Sequence, residues 1–258
     1  MSDLAHIFAN RAWLRREWPF PHVTARNVFK SDFYNALALQ LTEILDRGLS
    51  ETPAGGRLSR NIAAYDAYGI GISPRTSGPA STLLSPAWRD MMCALFGIGP
   101  TPYVFAGVHY HAVGSKSGFV HNDFNPVWFP RANGDRMQSS EAERCAYKTG
   151  AGPLKDPDKI EVVRAAVVIL FVSNGKWRSG DGGETGLYSS SHAAVSEPSI
   201  SYPPENNSLL AFECTPRSYH TFISNVRLPR MSLIMWIHRT MQEATEKFGA
   251  DHLERWNG

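Results

Sequence analysis

His121 and Asp123 stand two positions apart in the stretch Gly118-Phe-Val-His-Asn-Asp-Phe-Asn125. On a β-strand, residues i and i+2 point to the same face. An imidazole and a carboxylate would then converge on one metal from one short piece of backbone. His-x-Asp pairs are common, and a second stretch gives this one its meaning. Tyr219-His220 is followed ten residues later by Arg230-Met-Ser232. Two imidazoles and a carboxylate on one side of a metal, with open positions opposite, suit divalent iron.

The rest of the chain must bring these two stretches together. Its 258 residues suffice for one large domain. Hydrophobic content of 43% and charged content of 19% describe an ordinary globular chain. A formal charge of +2 with no basic run gives no reason to expect nucleic acid or a membrane surface as partner. Cys93, Cys145 and Cys214 are far apart and odd in number, so neither a disulfide framework nor a thiolate zinc site is expected. A reducing compartment, the cytoplasm, is the expectation. The first residues lack a signal-peptide pattern, and no apolar run is long enough to span a bilayer. There is no internal repeat.

The spacing predicts a strand over Pro21–Phe29, then a helix capped by Ser31 or Asp32, with Phe33, Leu37, Leu41, Ile44 and Leu45 inward and Gly48 at its end. Residues 50–82 read as loop with short strands such as Ile62–Tyr68. Ser85 caps a second helix that runs from Pro86 to Gly97. From Tyr103 the period changes to two. Strands are predicted over Tyr103–Tyr110, Phe119–Asp123, Val162–Val172, after the turn at Gly182-Gly183, and over Ser208–Cys214, Tyr219–Ser224 and Met231–Ile237. The polar stretch 131–159 has little periodicity and reads as a mobile lid. Arg239–Trp256 reads as a terminal helix. The plan is mainly β with flanking helices, a sandwich or jelly roll.

In this order and spacing the chain resembles the Fe(II)/2-oxoglutarate-dependent oxygenases, in particular the prolyl-4-hydroxylase-like branch. The resemblance covers roughly residues 18–240. It is carried by Val108-His-Tyr110, His121-Asn-Asp123, Ser173-Asn174 with Trp177, Gly182-Gly-Glu-Thr-Gly-Leu-Tyr188, Leu209-Leu-Ala-Phe212, His220, and Arg230-Met-Ser232 with Trp236. It implies a double-stranded β-helix (jelly-roll, cupin-like) core. It implies a single oxygenase domain over 1–258: helical and loop support in 1–100, the core in 101–238 with the insert 131–159, and a C-terminal helix in 239–258. The cofactors implied are Fe(II) and, as cosubstrate, 2-oxoglutarate. His121, Asp123 and His220 resemble the metal ligands. Arg230, Ser232 and Tyr110 resemble the residues that hold the distal carboxylate of 2-oxoglutarate. A guanidinium fork matches a carboxylate, and a buried one needs such a partner.

Phe124, Asn125, Trp128 and Trp236 are candidates to face substrate, and no catalytic residue is expected beyond the metal ligands. His109 and His111 flank Tyr110 and are expected to face away from it as non-ligands. Asp123 stands where related halogenases have a small residue, which favours hydroxylation. The expected reaction is hydroxylation of an unactivated C–H by dioxygen, with succinate and CO2 as co-products. The length of 131–159 inclines the substrate toward a free small molecule, an amino acid derivative or natural-product intermediate. A peptidyl, prolyl-type hydroxylase is the alternative within the class. A non-catalytic or non-oxygenase metal-binding cupin-like protein is the alternative outside it.

Overall fold

A computed structural model describes residues 4–51, 67–73 and 75–255, without the side chains of 49–51. Short strands β1 (Leu14–Arg16) and β2 (His22–Ala25) precede helix α1 (Ser31–Glu51). Leu37, Leu41 and Leu45, spaced by one helical turn, are its buried stripe. The helix continues past Gly48 to Glu51. Most of the strand expected over Ile62–Tyr68 lies outside the described residues; β3 (Tyr68–Ile72) begins where that expectation ends. After the short α2 (Pro79–Leu83), α3 (Pro86–Phe96) is bounded as its sequence predicts. The Ser85 hydroxyl accepts from the Trp88 N–H, Pro86 opens the first turn, and Gly97 closes the helix at φ 64°.

The strands form two sheets. β4 (Tyr103–His111), β7 (Lys159–Phe171), β10 (Ser208–Glu213) and β12 (Arg230–Thr240) make the centre of the larger one, in the order β1-β2-β10-β7-β12-β4-β3. Near its edge β5 (Pro126–Pro130) pairs with the start of β7, and β6 (Gln138–Ser139) with β4. The smaller sheet is β11-β8-β9, from Tyr219–Phe222, Thr185–Tyr188 and Ile200–Tyr202. Alternate residues of the central strands point to opposite faces. On one face Val104, Val108, Leu233 and Met235 pack against α1 and α3. On the other, Ile169, Phe171, Ile234 and Trp236 share a core with Leu187 of the smaller sheet. This is the jelly-roll, double-stranded β-helix architecture, mainly β, with α1 to α3 on one outer face and the C-terminal helix (Met241–Phe248) against the other core.

Three expectations change. Phe119–Asp123 is not a strand: His121 makes an isolated bridge to His220, and Asp123 has a positive φ of 58°. The terminal helix α4 starts at Met241 and ends at Phe248, because β12 runs on to Thr240 and buries Arg239 in an ion pair with Glu213 (2.7 Å). The stretch 131–159 is packed rather than loose. Met137 and Cys145 are buried, and the Tyr147 ring stacks on Phe105 with centroids 4.6 Å apart. The Trp128 N–H also donates to the Tyr147 carbonyl (2.7 Å).

Candidate metal centre

His121 and His220 exchange backbone hydrogen bonds, N–H to carbonyl in both directions, at 3.1 and 2.8 Å. This reciprocal pair fastens the loop after β4 to the smaller sheet and sets the two imidazoles side by side, centroids 4.4 Å apart. Each ring has its tautomer fixed locally. His121 Nδ1 lies 2.8 Å from the Phe119 carbonyl and His220 Nδ1 3.0 Å from the Ser218 carbonyl. A carbonyl only accepts, so both Nδ1 atoms carry the proton and both Nε2 atoms present bare lone pairs. Those atoms lie 3.7 and 3.5 Å from the Asp123 carboxylate oxygens. Among the described residues, His121, Asp123 and His220 are the one group of His, Cys, Asp and Glu whose donor atoms converge as a metal site requires, all within 4.8 Å of one another.

Asp123 reaches this position through its left-handed backbone, not through strand alternation. Asn122 sustains the bend by accepting from the Phe124 N–H (3.0 Å). Burial alone would raise the Asp123 carboxyl, but the Arg164 guanidinium outweighs it, with the two imidazoles, and holds it well below the usual carboxylate range. One carboxylate oxygen accepts from Arg164 Nη1 and the other from Trp236 Nε1 (2.7 Å). Burial, then the neighbouring His220, lowers His121 to about 4, so its ring is neutral at pH 7 and able to ligate.

Beside this cluster the sheet faces converge on Arg230. The register pairs Arg230 with His111, Ser232 with His109, and Trp236 with Phe105, so these residues share one face. On the smaller sheet Thr185 and Leu187 lie opposite Phe222 and His220. Arg230 Nη2 donates to Thr185 Oγ1 (3.1 Å), and its guanidinium lies 5.2 and 5.1 Å from the ring centroids of Phe171 and Phe222. Ser232 Oγ is buried with no hydrogen-bond partner in the chain, so this pocket holds a polar atom that a bound ligand would satisfy. An arginine, a serine hydroxyl and aromatic walls beside three metal-donor atoms fit Fe(II) with a dicarboxylate cosubstrate.

The register also moves several expected residues. Tyr110 pairs with Met231 and therefore faces away from Arg230, toward α1, with its ring 6.3 Å from Tyr68. His109 and His111 take the site face instead, although neither joins the metal cluster. The His109 ring lies 5.7 Å from Trp236, and burial followed by the Arg230 charge lowers it to about 4. Phe124 packs against Phe248 of α4 (5.0 Å), Asn125 donates to the Glu254 carbonyl (2.9 Å), and Trp128 lies beneath Lys159 (4.8 Å). Of the four substrate candidates, only Trp236 is at the site, where it holds Asp123. Arg164, Thr185 and Tyr147 were not anticipated. Arg164 had a signal, a lone charge in the apolar run Val162–Val172. A register shift between Ile237 and His238 places it opposite His238, on the face of Ser232 and Trp236.

Residues 142–238 match the model of the 2OG-Fe(II) oxygenase superfamily. That stretch holds His220, Arg230 and Ser232, and over it the chain is similar to a superfamily named for 2-oxoglutarate and Fe(II). Its fold is that of the prolyl-4-hydroxylase-like branch. A Pseudomonas putida prolyl-4-hydroxylase superposes with a TM-score of 0.53 at 16% identity, covering 84% of this chain and 92% of that one. A Trichoplax adhaerens prolyl hydroxylase, in complex with a peptide fragment of the hypoxia inducible factor oxygen degradation domain, gives 0.54 at 16% over 88% and 86%. The viral collagen prolyl hydroxylase of Paramecium Bursaria Chlorella virus-1, in its 2-oxoglutarate complex, gives 0.52 at 10% over 85% and 96%. No curated protein matches the chain. Among the described residues, no helix is long and apolar enough to cross a membrane.

Proposed function

We propose that this enzyme hydroxylates an unactivated C–H of a residue within a peptide or protein, with iron held by His121 Nε2, His220 Nε2 and the Asp123 carboxylate. The convergence of those donor atoms, with both Nδ1 protons committed to backbone carbonyls, is the observation that carries the reading. When bound, Fe(II) with 2-oxoglutarate and dioxygen supplies the oxidising power, and succinate and CO2 are the co-products. Arg230 and Ser232 grip the distal carboxylate of the cosubstrate, the guanidinium as a fork and the hydroxyl as a further donor. Phe171 and Phe222 exclude water around that ion pair and strengthen it. Trp236 and Arg164 keep the Asp123 carboxylate ionised and oriented.

Two observations favour a peptidyl substrate over a free small molecule. The fold neighbours are prolyl hydroxylases, one of them bound to a peptide. The stretch 131–159, whose length argued for a small-molecule lid, is anchored to the core by Met137, Cys145 and Tyr147 instead. His121 also keeps about a quarter of its side chain exposed, next to Phe119 at 42% exposure, so the site is accessible from that side. The three cysteines are free and buried, in keeping with the cytoplasm as its compartment. Succinate release from 2-oxoglutarate, under air with Fe(II), tests the substrate class. Stimulation by proline-containing peptides and none by free amino acids supports the reading. Stimulation by free amino acid derivatives alone returns it to a small molecule.

A further inference from the structure

We infer that Tyr147, from the packed insert, is a positioning residue for the metal carboxylate, acting through Arg164. The inference rests on the metal assignment proposed above. Arg164 Nη1 donates to Asp123, while Arg164 Nε donates to the Tyr147 hydroxyl (3.1 Å). That hydroxyl lies 2.9 Å from His238 Nε2, and His238 Nδ1 lies 3.0 Å from the Tyr103 carbonyl.

Every proton in this chain has a determined place. The Tyr103 carbonyl only accepts, so His238 Nδ1 carries the ring proton and Nε2 is bare. The Tyr147 hydroxyl therefore donates to His238. Its lone pair is then free to accept from Arg164, which only donates. Burial keeps the His238 ring neutral, consistent with that order. A guanidinium is planar, and two of its N–H directions are fixed here by different partners. Its orientation is determined, and so is that of the carboxylate it holds.

The rest of the surroundings leaves Tyr147 little other freedom. Its ring stacks on Phe105 and meets Phe129 edge-on at 5.5 Å. Arg164 itself lies 4.9 Å over the Trp236 ring, whose Nε1 holds the other oxygen of Asp123. The insert thus reaches the metal site along the face of the large sheet that carries Ser232 and Trp236. Without the Tyr147 hydroxyl, Arg164 Nε and His238 Nε2 both lose that partner, and the guanidinium is held less firmly against Asp123.

Outer partners of metal ligands are typically worth about 10- to 100-fold in metal affinity. Calorimetric titration of the metal-free full chain with Co(II) reads this without turnover. Tyr147→Phe is expected to raise the Co(II) Kd by about tenfold or more. Arg164→Lys keeps the charge but loses the fork, and is expected to weaken Co(II) at least as much. The double variant should be no weaker than Arg164→Lys alone, because Tyr147 acts through that guanidinium. A purely structural tyrosine would instead give Kd effects that multiply, and that result overturns the inference, as does wild-type Co(II) affinity in Tyr147→Phe. If Tyr147→Phe does not fold, His238→Leu removes the hydroxyl's acceptor instead. A smaller loss of Co(II) affinity there supports the brace, and no loss overturns it. Asp123→Asn is the control that separates the two claims. If it binds Co(II) like the wild type, the metal assignment falls and the brace with it. If it loses Co(II) while Tyr147→Phe does not, the brace alone falls.

Discussion

Replacing Arg230 by alanine removes the cation that the proposed cosubstrate site is built around. Arg230 is 3% exposed, with Thr185 and two aromatic faces as neighbours. Breaking a buried ion pair by deleting one partner costs roughly 3–5 kcal/mol. At about 1.4 kcal/mol per factor of ten, 2-oxoglutarate should bind on the order of a hundredfold to several thousandfold more weakly. The fold should suffer much less, because the deletion also relieves the burial of a charge. Arg230→Lys retains the charge without the fork and should fall between, about tenfold weaker. Calorimetry with Co(II)-loaded protein measures 2-oxoglutarate affinity without turnover, and a thermal melt checks the fold. If 2-oxoglutarate binds Arg230→Ala within a few fold of the wild type, the carboxylate is held elsewhere and the pocket assignment is wrong.

Asp123→Ala should abolish metal binding and also destabilise the metal-free protein by roughly 3–5 kcal/mol, because it leaves Arg164 buried beside no carboxylate; equal urea midpoints for variant and wild type would show that Arg164 finds another partner. His238 should make the protein acid-labile. Burial lowers it to about 3 despite its bond to the Tyr103 carbonyl, whereas the unfolded chain takes up that proton near pH 6.5. Its contribution is complete above about pH 6.5 and is lost as pH falls toward about 3, with a slope of about 1.4 kcal/mol per pH unit. Urea melts at a series of pH values should show a shallower slope for His238→Gln, and equal slopes would refute the assignment. Gly182→Ala should destabilise the turn before β8, since Gly182 has φ 76° and an added Cβ would run into the Ser224 carbonyl. A melting temperature equal to that of the wild type would contradict this.

The parts legible in the sequence were those governed by local rules. The cap, proline and terminal glycine of α3 lie where spacing puts them, and the apolar run of β7 is a central strand. The three metal-donor residues were legible as types and come together, although not by the geometry expected of them. Asp123 turns inward through a left-handed residue stabilised by Asn122, which alternation along a strand does not foresee. Parity also failed at Tyr110. Which face of β4 meets the site is set by its register with β12, and sequence spacing alone does not contain that register. Arg164 stands as the lone charge in a nearly continuous apolar run, and only the register shift at His238 aims it at Asp123. The stretch 131–159 misled through composition. It is polar overall, yet Met137, Cys145 and Tyr147 anchor it, and three inward residues in such a stretch leave no periodic signal.

X-ray absorption on the anaerobic protein loaded with Fe(II) and 2-oxoglutarate tests the central claim most directly. Two imidazole ligands with the remaining donors oxygen are expected, with the loss of one imidazole in each of His121→Ala and His220→Ala. A thiolate ligand, or an imidazole count that either substitution leaves unchanged, would contradict it.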